Sequence, residues 1–359
     1  MRAGKPEPRS GLARAAALQR RIRAGREPRL LPVALLARLL SIPYGLGARL
    51  KNVLFDLGVR RAAKVEVPVV SVGNLTTGGT GKTPLVELLA RSAVQAGMRP
   101  AILTRGYRRS GEAEGDEVRL YRRLLPSVDV VVDPDRVRGA RAAREKGAGL
   151  LILDDGFQHR RLARGLDLVL ADARDPFSSG RLLPFGMLRE PARGLARAGA
   201  LILTRCGRAT QGEIDSACEE ARALAPGITI LLEDHLPDRL VDLEGASGPD
   251  LEELMGLPVL VFSGIADPTT LAETVGGLAA DVLAVSDFGD HHPFSPADLE
   301  ELQRDAVRVG AKMVVTTEKD LMRISGWQGE VPLYALRIRA GWVKDQDAKL
   351  LSALVGFDV

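Results

Sequence analysis

Residues 67–89 constrain the fold of this chain more than any other stretch. They read VPVVSVGNLTTGGTGKTPLVELL and combine a strand pattern, a glycine loop and a helix start. The β-branched run at the beginning predicts a buried strand, and Pro84 falls inside the first turn of a predicted helix, where its missing N–H costs nothing. A strand, a glycine loop and Lys82-Thr83 at a helix start are typical of a phosphate-binding loop.

The residue types in this loop suit a nucleoside triphosphate and Mg²⁺. Successive backbone N–H groups point at phosphate oxygens, the lysine reaches the β- and γ-phosphates, and the threonine hydroxyl reaches the metal. Thr76 stands where the usual pattern has glycine, and a chance glycine turn is the alternative. The candidate nucleotide-binding residues are Thr76, Thr77, Gly78, Gly79, Thr80, Gly81, Lys82 and Thr83.

Length and composition predict a globular protein. The chain has 359 residues, enough for two domains with full cores or for one large domain. Cys206 and Cys218 are the only cysteines, too few for a disulfide framework, and Cys218 falls on a helix predicted at 211–224. A reducing compartment is the simpler expectation.

Positive charge is concentrated in the first 65 residues. They contain 15 Lys and Arg and 3 Asp and Glu, a net charge of +12, whereas the whole chain carries +4. Such a segment suits anionic lipid or nucleic acid. Residues 1–29 predict a flexible basic tail, and no apolar run of the kind found in signal peptides follows Arg20-Arg21.

Residues 30–57 are the most apolar part of the chain. Charged residues interrupt every window of the ~18–20 residues that a membrane span needs, and Pro43 predicts a division into two short helices. In the second helix apolar residues recur at helical spacing, with cations nearby. A helix lying in a membrane interface and an ordinary helix packed on a core both fit this pattern.

Strands alternate with helices over residues 67–205, which predicts a parallel, doubly wound sheet. After the first strand, further strands of this sheet are predicted at 101–104, 128–132, 149–153, 166–171 and 200–204. A second unit follows, with strands predicted at 228–232, 259–263, 281–285, 313–317 and 331–338. Helices are predicted at 135–147, 268–276 and 296–310, with a polar connection at 237–248 and a terminal helix.

Carboxylates and cations follow several of these strands. The run at 149–153 ends in Asp154-Asp155, as does the metal-binding strand of a phosphate-loop protein. Asp116-Glu117 closes a polar loop at 108–115 and could serve a phosphoryl acceptor, although acidic pairs are commonly only solvated. Ligands in parallel sheets bind at the carboxyl ends of strands, so these groups and Arg189 can converge there.

The four histidines are His159, His235, His291 and His292. No His or Cys partner stands at metal spacing, which argues against a structural zinc site. The loop containing His291 and His292 suits a proton relay beside a carboxylate, or is simply solvated. Because Asn-Lys-x-Asp is missing, guanine recognition of the usual kind is not expected.

The motifs together resemble the tetraacyldisaccharide 4′-kinases of lipid A biosynthesis. The matching segments are 72–84 (VGNLTTGGTGKTP), 105–107 (RGY), 115–117 (GDE), 154–159 (DDGFQH), 188–191 (LREP), 290–292 (DHH) and 317–320 (TEKD). They occur in order from about residue 30 to 340. The Thr76 departure from the general phosphate-loop pattern is itself a feature of this family.

The resemblance implies an ATP-dependent kinase that phosphorylates the 4′-hydroxyl of a lipid-linked disaccharide 1-phosphate. It implies a protein at the cytoplasmic face of the bacterial inner membrane, without nucleic acid or an obligate protein partner. It implies an α/β fold in which a P-loop NTPase-like, mostly parallel α/β/α domain at 30–232 carries a smaller α/β/α domain at 233–338 on a two-stranded linker. Residues 339–359 would form a helix that returns to the first domain.

The resemblance also assigns roles to individual residues. Thr83, Asp154 and Asp155 would hold Mg²⁺, Lys82 would hold phosphates, and Gln158 and His159 would support them. Asp116 would be the general base, paired with His291 from the second domain; the choice of His291 over His292 rests on the order Asp-His. Glu117, Arg136, Arg189 and Glu190 match charged positions that line the same cleft.

Two other functions remain as alternatives. A membrane-surface ATPase without a lipid acceptor would hydrolyse ATP independently of any lipid. A nucleic-acid-associated NTPase would use the basic N-terminal segment. Aromatic residues form only 4% of the chain, and none alternate with the cations of that segment in the manner of nucleic-acid-binding surfaces.

Overall fold

The computed structural model describes residues 31–106, 114–265, 267 and 269–359. The predicted tail at 1–29 and most of the predicted polar loop at 108–115 lie outside these residues. The strands are β1 (Val69–Asn74), β2 (Pro100–Thr104), β3 (Asp129–Val132), β4 (Leu150–Asp154), β5 (Leu166–Asp172), β6 (Ala200–Thr204), β7 (Thr229–Val241), β8 (Pro258–Ser263), β9 (Asp281–Asp287), β10 (Met313–Thr317) and β11 (Leu333–Trp342). The α-helices are α1 (Leu31–Asp56), α2 (Lys82–Gln95), α3 (Asp116–Leu124), α4 (Arg136–Glu145), α5 (Gln211–Leu224), α6 (Thr269–Gly277), α7 (Pro296–Val309), α8 (Glu318–Leu321) and α9 (Asp345–Val355).

The described chain divides into two compact units. The first unit comprises residues 31–236 and 339–359, and the second comprises 237–338. Strands β7 and β11 each begin in one unit and end in the other. The predicted linker between the domains and the return of the C-terminal helix stay predictions.

The first unit contains a parallel sheet in the order β3-β2-β4-β1-β5-β6-β7. Apolar side chains alternate between its two faces. Ala140 of α4 and Ala217 of α5 belong to apolar clusters on one face, and the intervening strand positions, such as Val70 and Ile152, are buried as well. A sheet buried on both faces explains why its strands read as continuous apolar runs.

The second unit contains a smaller parallel sheet in the order β11-β10-β8-β9. Helix α7 packs on the face that presents Leu260 and Phe262, and α6 packs on the face that presents Val259 and Val261. Helices therefore cover both faces. The predicted class, a doubly wound and mostly parallel α/β fold, is confirmed.

Helix α1 is continuous through Pro43, so the predicted division into two helices is wrong. Proline removes one backbone hydrogen bond, and the nearby Gly45 and Gly47 are weak helix formers, so local propensity does not explain the continuity. Contacts on the C-terminal side of the proline, from Tyr44 to the Arg189 carbonyl and from Lys51 to the Gln158 carbonyl, hold the helix in place instead. Within the described residues α1 is also the one helix long and apolar enough to cross a membrane, by length and composition alone. That criterion is weak evidence, because a signal sequence also satisfies it.

Two other elements differ from the sequence prediction. Strand β7 extends to Val241, through the start of the predicted polar connection. Pro237 lies beyond the residues that pair with β6, so its missing N–H interrupts no hydrogen bond of that ladder. Helix α3 was not predicted, although Asp116 and Glu117 in its first turn and arginines in its last turn complement a helix dipole.

Candidate active site

The phosphate-binding loop joins β1 to α2, as predicted. Gly81, the residue before α2, has a left-handed backbone (φ +84°), which favours glycine. The Asn74 amide donates to Thr80 Oγ1 at 3.0 Å, and the Thr204 hydroxyl donates to the Thr80 carbonyl at 3.1 Å. Neighbouring strand ends therefore fix the loop in shape.

Asp154 ends β4 beside this loop. Its side chain is buried, and Oδ1 has no hydrogen-bond partner. Burial, with the negative charge of Glu117 next in size, raises the pKa of Asp154 to about 7. A buried carboxylate oxygen without a donor is well suited to a hard cation, because a cation would replace the lost hydration.

Asp155, the next residue, is already engaged by two cations. Its carboxylate lies 3.5 Å from Lys82 Nζ and accepts two hydrogen bonds, of 2.8 and 2.7 Å, from Arg189 Nη1. Burial alone would raise the pKa of Asp155, but Lys82 and Arg189 lower it below its ordinary value. The structure thus brings Lys82, Asp155 and Arg189 together. The backbone of Asp155 itself is left-handed (φ +51°).

Helix α3 presents its N-terminal turn to the same site. Asp116 is buried, and its Oδ1 accepts a hydrogen bond from the Glu117 N–H at 3.0 Å. One turn further on, Tyr121 is fully buried, with its hydroxyl beside Thr83 and Asp154. Burial raises the pKa of Tyr121 well above its ordinary value, and the negative charge of Asp154 adds to this effect.

Arg136 and His159 add buried nitrogen atoms to the site. Arg136 donates to the Asp133 carbonyl at 2.7 Å, while its Nε and the Nε2 of His159 have no partner in the structure. Burial and then the charge of Arg136 lower the pKa of His159 to about 4, so this imidazole is neutral at pH 7. Arg136 itself keeps its charge beside the two aspartates.

Gln158 and Glu190 belong to a buried hydrogen-bond network below the loop. The Gln158 amide donates to the Asn74 carbonyl and to Glu190 Oε1, both at 2.9 Å. Glu190 also pairs with Arg197 at 2.8 Å and accepts from Asn52 of α1 at 2.7 Å. In the structure both predicted site residues therefore make contacts that hold the loop and α1 in place.

Helix α1 is attached to the site along one side. The Tyr44 hydroxyl donates to the Arg189 carbonyl at 2.8 Å, and Lys51 Nζ donates to the Gln158 carbonyl at 2.9 Å. The opposite side carries exposed apolar side chains. These are Leu39, Leu46, Leu50 and Val53, which recur at helical spacing, and Leu57 directly after the helix is exposed as well.

Three residues at the phosphate-binding loop were not predicted from the sequence. Two of them contact the loop, and the third lies beside one of these two. Arg205, which follows β6 with φ +58°, donates to the Gly79 carbonyl and pairs with Asp172 at 2.9 Å. On β7, the His235 imidazole lies where a side chain at Gly81 would have to go. Its neighbour Glu233 is 1% exposed, and neither carboxylate oxygen has a hydrogen-bond partner. The sequence signal that could have identified these three residues is their position, because each is a polar residue just after a predicted apolar strand.

The two adjacent histidines of the second unit have different surroundings. His292 Nε2 lies 3.0 Å from Asp298, and its ring packs between Phe288 and Phe294 with centroids 5.0 and 5.2 Å away. The His291 side chain is 44% exposed, and its Nε2 lies 3.8 Å from Asp290. His291 is therefore the more accessible of the two imidazoles, and its pairing with Asp116 stays a prediction.

No group of three or more His, Cys, Asp or Glu side chains able to hold a metal occurs among the residues the structure describes. A cation bound by two protein groups and by phosphate oxygens does not require such a group. The Thr83 hydroxyl and the unpartnered Asp154 oxygen fit this kind of Mg²⁺ site. Asp155 would join it while sharing its carboxylate with Lys82 and Arg189.

Glu233 makes the stability of the protein depend on pH. Burial raises its pKa from 4.5 to about 8, so the folded chain keeps a proton that the unfolded chain loses. The free energy of unfolding should therefore fall as the pH rises from about 5 to 8, by at most about 4 kcal/mol. Urea unfolding at pH 5.5 and 8 should show a smaller decrease for Glu233→Gln than for wild type. Glu145→Gln, at an exposed position, is the control; equal decreases in all three proteins would contradict the assignment.

Comparisons with known proteins identify the family of this chain. The model of the family described as tetraacyldisaccharide-1-P 4′-kinase matches residues 33–355. A tetraacyldisaccharide 4′-kinase of Syntrophus aciditrophicus is 37% identical over 319 residues, covering 82% of this chain and 85% of that protein. One from Anaeromyxobacter sp. (strain K) is 40% identical over 303 residues, covering 80% of each.

A solved structure extends the agreement to the fold. LpxK from Aquifex aeolicus, crystallised in complex with ATP, matches with a TM-score of 0.68 and 31% identity, covering 93% of this chain and 99% of that one. The resemblance inferred from the motifs is confirmed. This chain belongs to the tetraacyldisaccharide 4′-kinase family.

Proposed function

We propose that this protein transfers the γ-phosphate of ATP to the 4′-hydroxyl of a tetraacyldisaccharide 1-phosphate, a step of lipid A biosynthesis. The observation that carries the proposal is the convergence of the phosphate-binding loop, Asp154 and the first turn of α3 at one edge of the sheet. At that edge, cationic side chains and backbone N–H groups are available to bind phosphates. Carboxylates beside them are available to bind a metal ion and to accept the proton of a hydroxyl. Membership of the kinase family supports the choice of acceptor.

The residues of the first unit bind and orient the nucleotide. Lys82 and the N–H groups at the start of α2 hold the β- and γ-phosphates, and Arg136 and Arg189 neutralise charge as the γ-phosphoryl group moves. Bound Mg²⁺, held by Thr83 and Asp154, would supply further positive charge on the phosphate oxygens. Tyr121 lies against Asp154, and the negative charge of Glu117 nearby favours binding of a cation there.

Asp116 acts on the acceptor. Its carboxylate takes the proton of the 4′-hydroxyl as that oxygen bonds to the γ-phosphorus and the bond from phosphorus to the β–γ bridging oxygen breaks. His291 pairs with Asp116 and raises its effectiveness as a base. Since the two residues belong to different units, this pairing makes transfer depend on the approach of the second unit, which would also exclude water.

We also propose that the protein works at the cytoplasmic face of the inner membrane, with α1 on the bilayer surface. The exposed apolar side of α1 supports this, because Leu39, Leu46 and Leu50 are each at least half exposed. An acceptor with four acyl chains is met at a bilayer. Cations along α1, including Arg38 and Arg49, suit anionic headgroups.

The first experiment follows labelled γ-phosphate from ATP into tetraacyldisaccharide 1-phosphate in mixed micelles. Wild type should form labelled lipid, whereas Asp116→Ala should reduce kcat by roughly 10²–10⁴-fold with little change in ATP affinity. Asp129→Ala, at an exposed position of the same unit, should behave like wild type. ATP hydrolysis without labelled lipid would instead favour the ATPase alternative, and a loss explained wholly by ATP affinity would remove Asp116 as the base.

Lys82→Ala should abolish transfer, because no other side chain of the loop brings a positive charge to the phosphates. The loss should exceed that of any conservative change elsewhere in α2. The control is Lys146→Ala, an exposed lysine after α4. Full activity of Lys82→Ala in the same assay would refute the assignment of the phosphate-binding loop.

Replacing Leu39, Leu46 and Leu50 together by Gln should weaken sedimentation with anionic vesicles by about tenfold or more, because each substitution removes apolar area from the lipid contact. Activity on vesicle-borne acceptor should fall more than activity in micelles. A matched triple variant, Met255→Gln with Leu283→Gln and Val307→Gln, changes three exposed apolar residues of the second unit. Equal vesicle binding by both variants would contradict the surface role of α1.

A further inference from the structure

The segment Thr317–Asp320, singled out in the sequence as TEKD, has no part in the chemistry proposed above. Thr317 is the last residue of β10 and the N-cap of α8, whose third residue is Asp320. Thr317 Oγ1 accepts a hydrogen bond from the Asp320 N–H at 3.1 Å and donates to Asp320 Oδ2 at 2.7 Å. The carboxylate of Asp320 is thereby held in one orientation, inside the second unit.

Asp320 accepts a hydrogen bond from Gly264, the residue that follows a different strand, β8. It is fully buried, and its Oδ1 accepts the N–H of Gly264, the residue after β8, at 3.1 Å. The same oxygen pairs with Arg323 Nη2 at 3.0 Å. A side chain at position 264 would approach both Asp320 Oδ1 and Arg323 Nη1 to 3.1 Å, so the close packing depends on glycine.

Arg323 continues the network into the histidine loop. Its side chain is 5% exposed, and Nη1 donates to the carbonyls of Gly264 and His292, each at 3.2 Å. The Gly264 carbonyl also accepts the His291 N–H at 3.0 Å. One carbonyl oxygen therefore joins the guanidinium to the backbone of His291.

The backbone at His291 needs such support. Its φ of +58° lies in the left-handed region, which a residue with a side chain adopts only where its surroundings determine it. The N–H of His291 donates to the Gly264 carbonyl, and the carbonyl of the next residue, His292, accepts a hydrogen bond from Arg323. The loop is thus held on both sides of the imidazole by hydrogen bonds.

We infer that Asp320 and Arg323 are positioning residues for His291: the buried pair fixes the Gly264 and His292 carbonyls, and these fix the backbone that presents the imidazole. The inference rests on the proposed function, because it takes His291 as the partner of the base. A buried guanidinium with five fixed donors suits this task, whereas a lysine provides only a point charge. A displaced imidazole would slow the transfer step while the nucleotide site in the first unit stays intact.

The test compares Arg323→Lys and Arg323→Met in the full-length protein. The control is Arg308→Met, since Arg308 also pairs with an aspartate three residues earlier, Asp305, but is exposed on α7. Hydrogen exchange of the His291 amide is the first readout. We expect exchange at least about tenfold faster in Arg323→Met and an intermediate value in Arg323→Lys, with the Val314 amide of β10 still protected.

Kinetics in the labelled-phosphate assay is the second readout. We expect kcat for lipid phosphorylation to fall about tenfold or more in Arg323→Met, with KM for ATP within about twofold of wild type and partial recovery in Arg323→Lys. Unchanged exchange at His291, or loss of Val314 protection in both variants, would overturn the inference. If wild type itself forms no labelled lipid, the proposed function fails, and the exchange data still decide whether Arg323 holds the loop.

Discussion

The structure of the site depends on a buried carboxylate that the protein itself does not fully satisfy. Asp154 lies at the end of a central strand, where its Oδ1 lacks a donor and the charge of Glu117 opposes ionisation. Such a group costs free energy in the folded state unless a cation binds it. The first turn of α3, the buried Tyr121 and the loop before α2 surround this one oxygen, which makes it the natural centre for a metal and its phosphates.

The contacts of α1 connect a surface helix to that centre. Its polar side binds the carbonyls of Gln158 and Arg189 and the carboxylate of Glu190. Gln158 in turn donates to the carbonyl of Asn74, the last residue of β1 before the loop. Two hydrogen bonds, from Lys51 to the Gln158 carbonyl and from the Gln158 amide to the Asn74 carbonyl, therefore link this helix to the phosphate-binding loop.

Much of this fold could be predicted from the sequence because parallel strands buried on both faces are continuous apolar runs. The end of β4 also predicted Asp154, the glycine loop predicted Lys82, and a loop motif predicted Arg189. Interactions between distant segments were not predictable: the contact of His235 with Gly81 depends on the register of β7, and the pairing of Glu190 with Asn52 depends on the packing of α1. Pro43 misled because a local rule about one hydrogen bond was applied to a helix that tertiary contacts of Tyr44 and Lys51 hold in place.

The ion pair between Lys82 and Asp155 has a consequence for how a nucleotide arrives. The lysine of the loop faces a carboxylate, which Arg189 shares. The carboxylate of Asp155 thus provides Lys82 with the negatively charged partner that a phosphate group would otherwise provide. Entry of a triphosphate is then an exchange of partners at Lys82, in which the lysine turns from Asp155 to the phosphates while Arg189 remains beside the carboxylate it leaves.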